Sequence, residues 1–289
     1  MEIYGRKKWK GPRIVMKASY HSVETYRVMF QDCAPCGQIH LHRLMDYAQD
    51  CDDRNCLLLD IDSKSLRKKN TCWILIGNSL HFNAPRPRAG DLFIVDSWSI
   101  GLDGIRFYRG NKYYRNQVSD HSLIGTATSE WILARADNHK PLRPAQVLNL
   151  DEFAAMSDPL AANKIELPRL KTEINHLSAP KRFDYLVGLG DVDMNTHLHN
   201  THYSRLALDA AFRLLQLDPH RQTLLLKSFH IAYKAEVDYG QTLELAADFD
   251  SAEPSCVKVE GILGQDGAAS FFAKLNYEIT DRVLEDKPA

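Results

Sequence analysis

Two long segments carry apolar residues at helical spacing. In residues 39–52, Leu41, Leu44, Met45, Ala48 and Cys51 recur at intervals of three and four; in residues 198–217 the stripe runs through Tyr203, Leu206, Ala210, Leu214 and Leu217. Each predicts an amphipathic helix with one buried face, and Pro219 lies just past the second, which it cannot continue. After each helix the chain reads as strands. The first set is TCWILIGNSLHFNA, DLFIVDSWSI, IRFYRGNKYYRN and SLIGTATSEWILA; the second is TLLLKSFHIAYKAEV, QTLELAADFD, SCVKVEGILG and ASFFAKLNYEIT. RFDYLVG predicts a short strand ahead of the second helix, and Gly264-Gln265-Asp266-Gly267 predicts a hairpin loop.

The two halves resemble each other. SLHFNAPRPRAGDLFIVDSW from Ser79 and SFHIAYKAEVDYGQTLELAAD from Ser228 both give Ser-apolar-His-apolar, a short variable piece, then Gly, a polar residue, Leu and an alternating strand. If Ile39 matches Leu198, then Gln38 matches His197 and Cys36 matches Asn195. One helix wrapped by an antiparallel sheet is an α+β layer arrangement, here expected twice in tandem. The expected organisation is a basic tail over 1–19, a first unit over 20–140, a linker over 141–180 with Pro141, Pro144, Pro159 and Pro168, a second unit over 181–280 and a tail over 281–289.

Composition narrows the class. The 289 residues include 36 Lys plus Arg against 37 Asp plus Glu, a net charge of −1 that argues against broad nucleic-acid binding. No run approaches the roughly 18 apolar residues of a membrane helix. The opening MEIYGRKKWKGPRIVMK is basic without an apolar signal region, and reads as a tail or as a start misassigned ahead of Met16. Six cysteines (Cys33, Cys36, Cys51, Cys56, Cys72 and Cys256) invite a zinc reading, but a helix over 39–52 would put Cys36 and Cys51 roughly 20 Å apart. Reduced thiols in a cytoplasmic protein, with no metal and no cofactor, are the expectation.

The stretch GDVDMNTHLHNTHYSRLALDA sets Asp193, Asn195, His197 and His199 within seven positions, directly before the second apolar stripe. Helix capping accounts for such residues; so does a catalytic site at a helix mouth, where unpaired N–H groups suit a developing negative charge. There is no G-x-S-x-G elbow to support a serine acyl-enzyme.

VDMNTHLHNTHY (192–203) and AYKAEVDYGQTLEL (232–245), together with RPRAGDLFIVDSW and TATSEWILA in the first half, resemble the plant and bacterial acyl-acyl-carrier-protein (acyl-ACP) thioesterases over roughly 20–280. The resemblance implies a tandem double hot-dog fold, hydrolysis of acyl-ACP to a free fatty acid, and catalytic roles for Asp193, Asn195, His197 and Glu236. Members of that family commonly carry Cys after the Glu; here the position is Val237. A cysteine nucleophile at that point is therefore unavailable, and Glu236 is expected to activate water, Asn195 and the helix N-terminus to hold the oxyanion, His197 to assist and Asp193 to orient Asn195 or His197.

The first unit lacks these groups and is expected to hold the acyl chain, with Met45, Trp73, Ile74, Ile76 and Phe82 as candidate lining. His199, His202 and His230 are expected to be packing or surface residues. The implied partner is acyl carrier protein, an acidic protein, so a basic docking face is expected from Lys181 and Arg182, Arg86 and Arg88, or Arg67, Lys68 and Lys69. A homodimer is compatible with the sequence; nucleic acid and membrane are not expected partners. Hydrolysis of acyl-coenzyme A and non-enzymatic acyl binding are the competing readings.

Overall fold

The computed structural model describes residues 21–158, 177–264 and 267–281. The expected tails over 1–19 and 281–289, most of the linker after Asp158 and the centre of the Gly264–Gly267 loop lie outside the described residues, apart from Asp281.

The first half runs β1 (His21–Arg27), α1 (Leu41–Cys56), α2 (Ser63–Lys68), β2 (Thr71–Phe82), β3 (Leu92–Asp103), β4 (Arg106–Arg115) and β5 (Leu123–Arg135). After α3 (Leu150–Ala155), the second half runs β6 (Lys181–Leu186), α4 (His202–Leu215), β7 (Gln222–Tyr233), β8 (Thr242–Phe249), β9 (Cys256–Leu263) and β10 (Ala269–Asp281). All ten strands join one sheet in the order β1-β3-β4-β5-β2-β7-β10-β9-β8-β6, with antiparallel pairing throughout. Reading inward from the two edges gives the same sequence of equivalents, β1 with β6, β3 with β8, β4 with β9, β5 with β10 and β2 with β7. The duplication in the sequence is thus a pseudo-two-fold in the sheet.

The seam explains the repeated Ser-x-His. Antiparallel pairing of β2 with β7 puts Ser79 opposite His230 and His81 opposite Ser228. Ser79 Oγ lies 2.5 Å from His230 Nδ1, and the two imidazoles stack edge to face at 5.0 Å. Burial and the neighbouring His81 lower the pKa of His230 to about 4, so it serves as a neutral hydrogen-bonding group.

Both helices bury the stripe that the sequence marks. Leu41, Leu44, Met45, Ala48 and Cys51 of α1, and Tyr203, Leu206, Ala210 and Leu214 of α4, enter one continuous apolar core with the inner face of the sheet. Helix α1 runs four residues beyond the expected end because Asn55 and Cys56 still face inward, where Arg109 donates to Asn55 Oδ1 and contacts Cys56 Sγ. Helix α4 starts four residues late. Leu198 is held extended by its bridge to Val192, with its N–H on Val237 O, and the His199 N–H donates to Asp191 O, so the chain turns into the helix only beyond them. It ends at Leu215 because Gln216 takes the left-handed conformation, φ 55°, and closes the last turn through its N–H.

Gly110 on β4 and Gly261 on β9 occupy equivalent strands, and each lies under an aromatic ring of a neighbouring strand. A Cβ on Gly261 would sit 2.2 Å from the fully buried Phe271 ring; one on Gly110 would sit 2.5 Å from Trp98. Gly261→Ala should destabilise the fold by about 1–3 kcal/mol, the usual cost of overpacking, read as a lower urea midpoint at unchanged m-value.

Candidate active site

Asp193, Asn195 and His197 do not sit on the helix. They occupy a tight loop whose ends are tied by the Val192–Leu198 bridge, with the Asp193 N–H donating to His197 O and the Thr196 N–H to Asp193 O. Thr196 holds φ 69°, a left-handed conformation costly for a β-branched residue. The loop is clamped to the segment after β7 by the Leu198 N–H to Val237 O hydrogen bond at 2.7 Å and the His197–Asp238 bridge. Val237, fully buried, anchors that segment and leaves Glu236 on the cleft side. Glu236 lies three residues past the end of β7, not within the strand.

This clamp brings His197 and Glu236 together. His197 Nδ1 is 3.4 Å from Glu236 Oε2, and its Nε2 is 3.4 Å from Asp238 Oδ1. His139, in the turn after β5, places Nδ1 3.1 Å from the same Glu236 oxygen and is itself held at φ 54°. Glu236 is about half exposed, open to water and flanked by two imidazoles.

Asn195 takes its orientation from the other unit. Arg67 of α2 donates from Nη2 to Asn195 Oδ1 at 2.7 Å. A guanidinium can only donate, so the amide oxygen is fixed toward Arg67 and Nδ2 faces away, held by only a 3.4 Å contact with Asp193 Oδ2. Asp193 also accepts from the Asn195 N–H at 2.7 Å. Its carboxylate orients Asn195, and its imidazole partner is His199, at 3.3 Å; it meets His197 through the main chain.

His199 is the neighbour that sequence reasoning passed over. The chain leaves the bridged pair after Leu198, and the two histidines part: His197 faces Glu236, whereas His199 faces α1, where Nε2 lies 3.4 Å from Asp46 Oδ1. Asp193 and Asp46 together outweigh its burial and raise its pKa to about 9, while Asp46 is held down to about 2 by His199 and by the Thr201 hydroxyl. Gln49 donates to Asn200 Oδ1 at 2.7 Å across the same junction. His139 and Asp238 were equally missed, and Arg67 was expected only on a docking face. Nothing in the local sequence of α2 or of the β5 turn points to Arg67 or His139, because they arrive through the pairing of the two units; Asp238 lies in the second unit, two residues past Glu236, and its nearness to Glu236 was the available signal.

Arg67, His139, Asp193, Asn195, His197 and Glu236 line a cleft of about 770 Å³ that also includes Trp73, Ile74 and Ile76. A smaller pocket of about 220 Å³ adjoins it through Arg67, Cys72, Trp73, Asn195 and Asn200, and reaches inward to Ile61, Phe107, Trp131 and Phe153. Met45 and Phe82, expected on the lining, lie elsewhere. Met45 is buried in the main core, and Phe82 faces a separate cavity at the other end of β2. Cys72 is the cysteine on the cleft, and burial together with the Glu236 charge raises the pKa of its thiol. Cys256, whose pKa burial pushes up to about 12, lies on β9, outside the residues that line the cleft.

The architecture has solved counterparts. An acyl-ACP thioesterase from Bacteroides thetaiotaomicron superposes with a TM-score of 0.72 at 20% identity, over 90% of this chain and 98% of its own. A 12:0-ACP thioesterase from Umbellularia californica gives 0.73 at 15% identity, over 91% of this chain and 95% of its own. The fold is the double hot dog of the acyl-ACP thioesterases. Residues 187–262, from just before the site loop into β9, match the thioesterase-like superfamily. Compared by sequence with curated proteins, the chain matches none.

The Asp193–His199–Asp46 bridge makes stability depend on pH. The raised pKa of His199 means that its contribution is complete below its unfolded value near 6.5 and is lost as pH rises through about 9. Urea midpoints should therefore fall between pH 6.5 and 9 in the native protein, and His199→Gln should flatten that part of the profile.

Proposed function

We propose that this protein is a thioester hydrolase that releases free fatty acid from acyl-ACP. The carrying observation is the convergence of Glu236, His197 and an Arg67-oriented Asn195 on a cleft that continues into a partly aromatic pocket. In this reading Glu236 takes a proton from a water in the cleft, and the resulting hydroxide adds to the thioester carbonyl carbon. Asn195 Nδ2 donates to the oxygen as it becomes negative, the contact that Arg67 keeps available by holding Oδ1. Collapse of the adduct breaks the C–S bond; His197 gives a proton to the departing sulfur and takes the one held by Glu236 through Nδ1, which returns both groups to their starting states. His139 and Asp238 fix the positions of Glu236 and His197. The chain's apolar end runs past Trp73 toward Phe107, Trp131 and Phe153.

The mechanism uses no thiol. Glu236→Gln preserves shape and removes the base, so kcat should fall on the order of 10²-fold or more, and Asn195→Ala should cost on the order of 10²–10³-fold if it donates to the oxyanion. Cys72→Ser and Cys256→Ser should leave kcat within a few-fold, and an acid quench should trap no acyl-enzyme. Full activity in Glu236→Gln, or a covalent adduct on any cysteine, would sink the mechanism.

The carrier is the finer question. Of the basic candidates, Arg86 is buried, and Lys181 begins β6 at the end remote from the site loop, with Arg182 paired to Glu244. The exposed Lys68 and Lys69 adjoin Arg67 at the end of α2, beside the cleft, and form the docking face favoured here for an acidic carrier. Reversing both charges should raise KM for acyl-ACP with little change in kcat, and added salt should do the same as the Debye length shortens from about 10 Å at 0.1 M to about 3 Å at 1 M. A salt-insensitive KM, with equal kcat/KM on the matching coenzyme A thioester, would favour acyl-coenzyme A as the substrate.

A further inference from the structure

The pseudo-two-fold gives the candidate active site a counterpart in the first unit, and backbone hydrogen bonds fix the register. The Ile39 N–H donates to Pro87 O as the Leu198 N–H does to Val237 O, both at 2.7 Å. Gln38 bridges Arg88 as His197 bridges Asp238, and the Ala34 N–H donates to Gln38 O as the Asp193 N–H does to His197 O. Ala34 therefore stands for Asp193, Cys36 for Asn195, Gln38 for His197 and Arg86 for Glu236. Every acid–base group has been replaced, and the general base has become a cation.

A cavity survives there. About 80 Å³ remains between Gln38, the Phe82–Arg86 segment after β2, and Leu225 to Lys227 of β7. Arg86 lines it while only 7% exposed, and among the described residues its Nη1 has no hydrogen-bond partner. Among the described residues no carboxylate forms an ion pair with Arg86, and burial depresses its pKa, opposed only by the nearby Cys33 and Cys36. A buried guanidinium without a counter-charge is expensive to keep. A water could occupy the space and satisfy a donor, but it would leave the charge uncompensated.

We propose that this cavity is an anion site, in which Arg86 binds a small monovalent anion, either a halide or a short carboxylate. The proposal is independent of the reaction assigned to the second unit. Binding to the folded state alone raises stability. Replacing sodium gluconate, too large for the cavity, by sodium chloride or sodium formate at equal ionic strength should therefore raise Tm by roughly 2–4 °C. The larger response of the two identifies halide or carboxylate as the natural occupant. Arg86→Met should abolish the response and, having shed an unpaired buried charge, should melt no lower than the wild type in gluconate. Arg86→Lys should retain part of the response. A crystal of the wild-type protein soaked in sodium bromide should show an anomalous peak within hydrogen-bond reach of Arg86. An identical Tm in all three salts, an undiminished response in Arg86→Met, or a soaked crystal with only water beside Arg86 would each overturn the proposal.

Discussion

The pairing of β2 with β7 is the constraint on which the remainder rests. Each half has an amphipathic helix and a five-strand sheet, and joining the halves along this seam makes one ten-stranded surface that buries both helices in one core. The seam also sets the relation between the halves. It brings α1 against the loop before α4, where Asp46 accepts from the Thr201 hydroxyl at 2.6 Å and faces His199. The candidate site is consequently a product of both units: Arg67, Trp73 and His139 come from the first, and Asn195, His197 and Glu236 from the second.

Charge is distributed around that junction in two layers. Glu236, His197 and His139 face the cleft, where water has access, and Asp238 backs His197. Behind the loop, His199 lies between Asp193 and Asp46, a charged bridge that holds the loop against α1. The outer layer is suited to moving protons and the inner one to holding position. Asp193 belongs to both, since the carboxylate that shapes the Asn195 turn is also the partner of His199.

The two units show how a duplicated frame diverges. The backbone hydrogen bonds that clamp the site loop recur in the first unit at nearly the same lengths, while the side chains they present have changed sign and chemistry. Hydrogen bonds between main-chain groups tolerate such exchange because they do not depend on side-chain identity. The cavity at the second unit is wide and contains carboxylates; its counterpart is narrow and contains Arg86.

The sequence by itself determined the two helices, the strands after them and the duplication, because hydrophobic periodicity is local and was written twice. It also marked Asp193, Asn195, His197 and Glu236 through a resemblance, and Val237 as a departure. It set the loop residues at the mouth of a helix, since capping residues and a bridged loop look alike until their partner strand is known; the carbonyl that takes the Leu198 N–H belongs to Val237. Periodicity could mark Met45 and Phe82 as buried but not say which buried space they face. The tertiary structure alone decided that Arg67 orients Asn195, that His139 meets Glu236 and that His199 faces Asp46, because these contacts span from about one hundred to more than one hundred and fifty residues and exist only once β2 and β7 have paired.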